Sequence, residues 1–200
     1  MDRPALITTL KASIGPAADE FKAANDADFK RHLSYAARDY SRRRPRTLLD
    51  TLTLIADQSN YSAPAGLLQV KYSDWGRVER SRVPMWERSC VYDLPRLGFM
   101  NGEIWLTPAP TQAQITAFGS SYAYFYFAAH EVSEASVTVP DGDEMLLVLR
   151  AQAEAAKELM TMGIVKPIGG WRNGIQSIPK PMTPAEIYAS LMDAFEKAAA

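Results

Sequence analysis

The chain has 200 residues, 47% of them hydrophobic and 10% aromatic, enough apolar material for a real core in one or two domains. It carries 22 basic and 23 acidic residues for a net charge of −1, so no global basic excess points to nucleic acid and no acidic excess to disorder. The single cysteine, Cys90, excludes an intramolecular disulfide, and two histidines with one cysteine cannot build an ordinary His/Cys zinc site. No apolar run approaches the ~20 residues of a membrane span. The opening Met1-Asp2-Arg3-Pro4 holds no apolar core of a signal peptide. The expectation is a soluble protein, made and kept in a cytoplasm.

Ala5 to Ile14 carries apolar residues at Leu6, Leu10 and Ile14, one every four, and Gly15-Pro16 ends this short helix. Asp26 or Asp28 can cap a second helix with the stripe Phe29, Leu33, Ala36, Ala37 and Tyr40. It closes in Ser41-Arg42-Arg43-Arg44-Pro45-Arg46, where cations suit a helix C-terminus and Pro45 stops the helix.

From Leu48 the period changes to two. Asp50-Thr51-Leu52-Thr53-Leu54 alternates, Asn60 to Gly66 reads as a turn-rich connection, and Leu68 to Tyr72 alternates again. Arg88 to Tyr92 reads as a third strand. Asn101-Gly102 is a hairpin signal leading into Glu103-Ile104-Trp105-Leu106, which Pro108 and Pro110 end. Tyr122-Ala123-Tyr124-Phe125-Tyr126-Phe127 is apolar on both faces, the mark of a strand that is central or that meets a partner on its outer side.

Helical period returns at Asp141, one of two possible caps with Asp143, and the expected buried face is Met145, Leu146, Leu149, Ala153, Ala156, Leu159 and Met160. Gly163 to Pro184 is rich in glycine and proline and reads as a loop of about 20 residues, longer than compact domains usually tolerate. Thr183-Pro184-Ala185-Glu186 then resembles an N-cap with Pro at the first position, opening a last helix through Ile187, Tyr188, Leu191 and Phe195. The fold class expected is α+β: a helical bundle from residues 1–47 and 140–163, an inserted antiparallel β domain over 48–139, sandwich-like or barrel-like, and an extended C-terminal arm over 164–200 with a terminal helix.

Few residues carry chemistry. Asp141-Gly142-Asp143-Glu144 matches a calcium loop poorly, and a helix cap explains it better. His32 lies beside the stripe of a helix and His130 just past a strand end, with no Ser or Cys nucleophile in a recognisable turn. Cys90 reads as a small buried thiol in a strand. No phosphate-cradling glycine loop is present, so no catalytic residue, cofactor or metal is expected. Arg42, Arg43, Arg44 and Arg46 form the one dense basic patch, either a solvated helix end or a contact to an acidic partner or a DNA backbone. Trp75, Trp86, Trp105, Tyr122, Tyr124 and Tyr126 suit a β core or a subunit interface better than a sugar platform.

Four stretches, in order, resemble the head-to-tail connector (adaptor) proteins of tailed bacteriophages. They are the helix end Ala36 to Arg46; Tyr61-Ser62-Ala63-Pro64-Ala65-Gly66-Leu67-Leu68-Gln69-Val70, ending near Trp75; Ile104 to Thr111 with the Tyr-rich strand and His130; and Thr138 to Leu147, opening an alanine-rich helix. Together they span roughly residues 5 to 163, and the segment after Gly163 carries no part of the likeness.

The resemblance implies a non-enzymatic virion protein of the phage neck, made in the bacterial host cytoplasm. Its copies would form a homo-oligomeric ring, dodecameric in such proteins, beneath the portal protein and above a tail or nozzle protein. The ring would continue the DNA channel toward the tail, with packaged DNA a possible occupant of that channel. A C-terminal extension commonly docks on the portal, which makes Trp171, Ile175, Ile178, Ile187, Tyr188, Leu191 and Phe195 the expected anchors. Arg42, Arg43, Arg44 and Arg46 would face a partner or the channel, and Trp105, Tyr122, Tyr124 and Tyr126 the core or a neighbouring subunit. Rival readings are a head-closure or tail-attachment protein, a carbohydrate- or receptor-binding β module, and a small hydrolase using Asp/Glu or His130.

Overall fold

In the computed structural model the chain is described over residues 1–77, 93–164, 166–168, 172–173, 176–177 and 182–199. The expected strand Arg88–Tyr92, with Cys90 and Trp86, lies outside these residues, as do Trp171, Ile175 and Ile178. The chain divides into two units, one of residues Met1–Pro45 and His130–Ala200, the other Arg46–Ala129.

The first unit is helical. α1 (Arg3–Ile14) starts where Asp2 accepts the Ala5 N–H at 2.8 Å, has Pro4 in its first turn and ends at Gly15, which takes the left-handed φ of 57°. Its Leu6, Leu10 and Ile14 are buried, as their spacing of four requires. α2 (Ala27–Arg43) buries Phe29, Leu33, Ala36, Ala37 and Tyr40, the stripe read from the sequence. Its N-terminus is not capped by a carboxylate side chain as expected. Asp26 binds Lys11 instead, and Asp28 accepts from Arg31 and from the Ala23 N–H.

α4 (Glu144–Thr161) is the centre of this unit and packs on α1, α2 and the last helix, α5 (Pro184–Ala199). It can serve three neighbours because it is apolar nearly all round: Leu147, Val148, Leu149, Ala151, Ala153, Ala155, Ala156 and Leu159 are all buried, whereas Met145, expected on the buried face, is exposed in the first turn. Its alanines leave room for other backbones and cost no side-chain entropy. Two further pieces, β7 (Arg172–Asn173) and β8 (Gln176–Ser177), form a short antiparallel pair.

The sequence expectation that the apolar side of α5 needs another chain to cover it is corrected here. Ile187, Leu191 and Phe195 are 0%, 1% and 2% exposed, in one core with α1, α2 and α4. The stripe did demand a cover, and α4 supplies it from within the chain. The start of α5 is as read: the Thr183 N–H donates to Glu186 Oε2 at 2.8 Å and the Glu186 N–H returns to Thr183 Oγ1 at 3.4 Å.

The second unit has two three-stranded antiparallel sheets. One has the order β1-β6-β3, from β1 (Arg46–Thr53), β6 (Ser121–Ala128) and β3 (Leu67–Tyr72); the other has β2-β5-β4, from β2 (Asn60–Ser62), β5 (Glu103–Thr107) and β4 (Arg96–Met100). Both contribute to a core of Leu52, Leu54, Leu67, Ile104, Leu106, Tyr122, Tyr124 and Tyr126. The β4–β5 turn is Asn101-Gly102, both at positive φ (54° and 81°), as a tight two-residue hairpin demands. β6 is central, paired on both sides. Two elements differ from the sequence reading. Asn60–Ser62 is a strand paired with β5 rather than connection, and α3 (Gln112–Phe118) is a short helix opened by a capping box of Thr111 and Gln114.

Candidate functional site: the polar end of the helical unit

The junction where α2 ends and α4 begins gathers most of the polar residues singled out in the sequence. Tyr40, in the last turns of α2, donates its hydroxyl to Asp143 Oδ2 at 2.5 Å. Arg44 reaches the same carboxylate through Nη1 at 3.0 and 3.1 Å, and its Nη2 donates to the Ala198 carbonyl at 2.9 Å. Asp143 therefore does not cap α4 with its side chain, because a charged donor holds its carboxylate elsewhere. That carboxyl sits below the ordinary carboxylate range, chiefly through the Tyr40 hydrogen bond and then through Arg44. Burial, aided by the Asp143 charge, pushes the Tyr40 hydroxyl up to about 12.

The basic patch finds acids in its own chain. Arg42 lies 3.3 Å from Asp39, Arg43 3.8 Å from Glu196 and Arg44 3.0 Å from Asp143. Four clustered cations need compensation, and for three of them this unit provides it. Arg46 begins β1 in the other unit.

His130 is clamped beside this cluster. Its backbone N–H donates to Ser41 Oγ at 2.8 Å, Nε2 lies 2.9 Å from the Arg44 carbonyl and Nδ1 2.9 Å from the Thr138 carbonyl. The Tyr40 ring meets the imidazole edge-on at 5.0 Å between centroids. Both ring nitrogens are thus committed to backbone. His32 is engaged through one nitrogen: Nε2 is 2.5 Å from Glu158 Oε2, Arg31 grips the same carboxylate at 2.6 and 2.7 Å, and the buried Nδ1 has no hydrogen-bond partner among the described residues. Burial holds the His32 pKa below its ordinary value against the pull of Glu158. Burial works to raise Glu158, but the bonds from Arg31 and His32 prevail and hold it low. Among the described residues no group of three or more His, Cys, Asp or Glu is placed to hold a metal ion.

Of the expected portal anchors, Ile187, Leu191 and Phe195 are core residues and Tyr188 is partly buried against that core. Of the aromatics, Tyr122, Tyr124 and Tyr126 are core, and Trp105 is half-buried on the opposite face of β5 from Ile104 and Leu106. Tyr124 donates to Asp50 Oδ2 at 3.0 Å across the β1–β6 pair, and Tyr122 to the Pro95 carbonyl at 3.2 Å. The opposite face of β6 is less covered. Phe125 lies 5.0 Å from Tyr72, Lys71 sits over Phe127 at 5.1 Å, and Leu49, paired with Phe125, is 60% exposed.

Sequence reasoning missed Arg150. It lies on α4, 5% exposed, and donates to Asp39 Oδ2 through Nε at 2.9 Å and Nη2 at 2.5 Å, and to Glu154 at 2.6 Å. The available signal was a charge inside an apolar, alanine-rich stretch with an acid four residues on.

No known protein-family model matches this chain, and a search of curated proteins finds no relative. No helix among the described residues is long and apolar enough to cross a membrane.

Proposed function

We propose that this chain is a structural protein of a bacteriophage neck, a connector whose copies form a ring below the portal, join head to tail and continue the DNA channel. The observation that carries this reading is the meeting of two of the stretches that bear the resemblance. The helix end Ala36 to Arg46 and the helix start Thr138 to Leu147 lie far apart in sequence, and the Tyr40–Asp143 and Arg44–Asp143 bonds join them where the β unit is inserted. A helical bundle with an inserted antiparallel β domain, sandwich-like or barrel-like, is the organisation this reading expects.

In this reading the apolar side of α5 is not the portal anchor, since Ile187, Leu191 and Phe195 are already used inside the chain. The portal contact falls instead to the Gly/Pro-rich stretch that carries Trp171, Ile175 and Ile178. The half-covered face of β6, with Leu49, Tyr72 and Phe125, suits a contact between neighbouring copies. The test is co-expression with the portal protein of a phage genome that encodes this chain. A stable complex with many copies of this chain per portal ring is expected, and a chain that never co-purifies with portal overturns the reading. Replacing Trp171, Ile175 and Ile178 by Ser should abolish the complex while leaving the helical unit folded.

A further inference from the structure

We propose that His130 is a proton-operated latch that fastens the loop 131–138 to the helical unit at the point where the chain re-enters it. The proposal is independent of the neck reading.

His130 is the first residue of the returning chain, and Arg44 stands one residue before Pro45, where the chain leaves. The imidazole bridges these two passages. Nε2 faces the Arg44 carbonyl and Nδ1 the Thr138 carbonyl, each at 2.9 Å. A carbonyl oxygen only accepts, and a neutral imidazole carries one N–H. Only the imidazolium donates to both. On losing a proton, one nitrogen turns a lone pair toward a carbonyl oxygen.

The neighbourhood decides which bond is given up. The Arg44 carbonyl belongs to the end of α2, anchored by the Arg44 N–H to the Tyr40 carbonyl at 2.8 Å. Thr138 belongs to a short loop held by the Val132–Val137 bridge, and its hydroxyl lies 3.4 Å from Nδ1. In the neutral state that hydroxyl can turn its proton to Nδ1 while Nε2–H keeps Arg44. The loop then loses the stronger, charge-assisted bond to the Thr138 carbonyl. The charged and titratable groups around the ring are Asp143 on the turn before α4, Tyr40 on α2, the Arg44 guanidinium just past the end of α2, and Glu131 on the loop. Asp143 is already held by Tyr40 and Arg44. The two carbonyls facing the ring therefore couple its second proton to the loop.

The experiment uses the full chain labelled with 15N-histidine. Long-range 1H–15N spectra are recorded from about pH 5 to 8, the span over which imidazoles change charge, together with hydrogen exchange of the Thr138 amide, which donates to the Glu131 carbonyl at 3.0 Å. The two histidines are assigned with H32Q and H130N. The expected result is that both His130 nitrogens carry protons at the acid end. Protection of the Thr138 amide, corrected for its intrinsic rate, should then fall about tenfold as the Nδ1 proton is lost, the weight of one bond to a charged donor. In H130N that amide should stay at the lower protection at every pH. If H130N does not fold, H32Q alone gives the assignment and the unmodified chain gives the exchange profile. A His130 with a single ring proton at every pH at which the chain is folded overturns the proposal. So does a Thr138 protection that does not change with the His130 titration.

Discussion

The Tyr40 hydroxyl donates to Asp143 Oδ2 at 2.5 Å, tying the last turns of α2 to the residue before α4. Replacing Tyr40 with Phe removes one donor to a charged acceptor and leaves the buried ring in place. The expected loss is about 1.5–3 kcal/mol in urea unfolding. A cycle with Asp143→Asn should show coupling between the two. The pH profile adds a second check. A neutral Tyr40 favoured in the fold contributes stability below its ordinary value of 10.0, and that contribution is lost as pH rises toward about 12. Y40F should lack this alkaline loss.

Arg150→Ala should cost about 1.5–3 kcal/mol, because it removes the buried cation that Asp39 and Glu154 share and leaves them only the exposed Arg42 and Lys157. Arg150→Met, which fills the same space, is expected to recover part of this in combination with Asp39→Asn. Equilibrium unfolding of the single and double variants measures it, and equal stability of R150A and the parent chain would contradict the packing described.

If α5 belongs to the helical core, its apolar side must be worth stability in the isolated chain. Leu191→Ala is expected to cost about 2–5 kcal/mol and Phe195→Ala about 3–5 kcal/mol. Removing residues 184–200 should leave an expanded helical unit with lost cooperativity. An arm that docks elsewhere would give variants as stable as the parent.

Acidification should act through His32 and Glu158. The His32 pKa is depressed in the fold, so the unfolded chain binds its proton more readily. Its contribution is complete above about 6.5 and is lost as pH falls below that. Glu158 is also depressed, so its contribution is present above about 4.3 and disappears at lower pH. In His32→Gln the stability lost between pH 7.5 and 5 should be smaller than in the parent, by urea midpoints at the two values.

The helices were legible because the stripes of α1, α2 and α4 repeat every three to four residues and end near Gly15, Pro45 and Gly163, residue types that disfavour continuing a helix. Asn101-Gly102 and the Tyr-rich β6 were legible for equally local reasons. What a stripe packs against is a long-range fact, so the α5 stripe showed the need for a cover and not that α4 provides it. α3 is too short to show a period, although Thr111 and Gln114 spelled its cap. At the polar junction, Arg44 and Asp143 were each read by their local roles, as helix end and helix cap. Their pairing across 99 residues had no local signature.

The central claim is a place in a particle. Under the proposed reading, the most direct test is cryo-electron microscopy of the neck of a phage whose genome encodes this chain, at a resolution that distinguishes its helical and β units. The account predicts a closed ring of copies immediately below the portal, each with α5 packed on α4. A particle that lacks the chain, or carries it away from the portal in isolated copies, would contradict it.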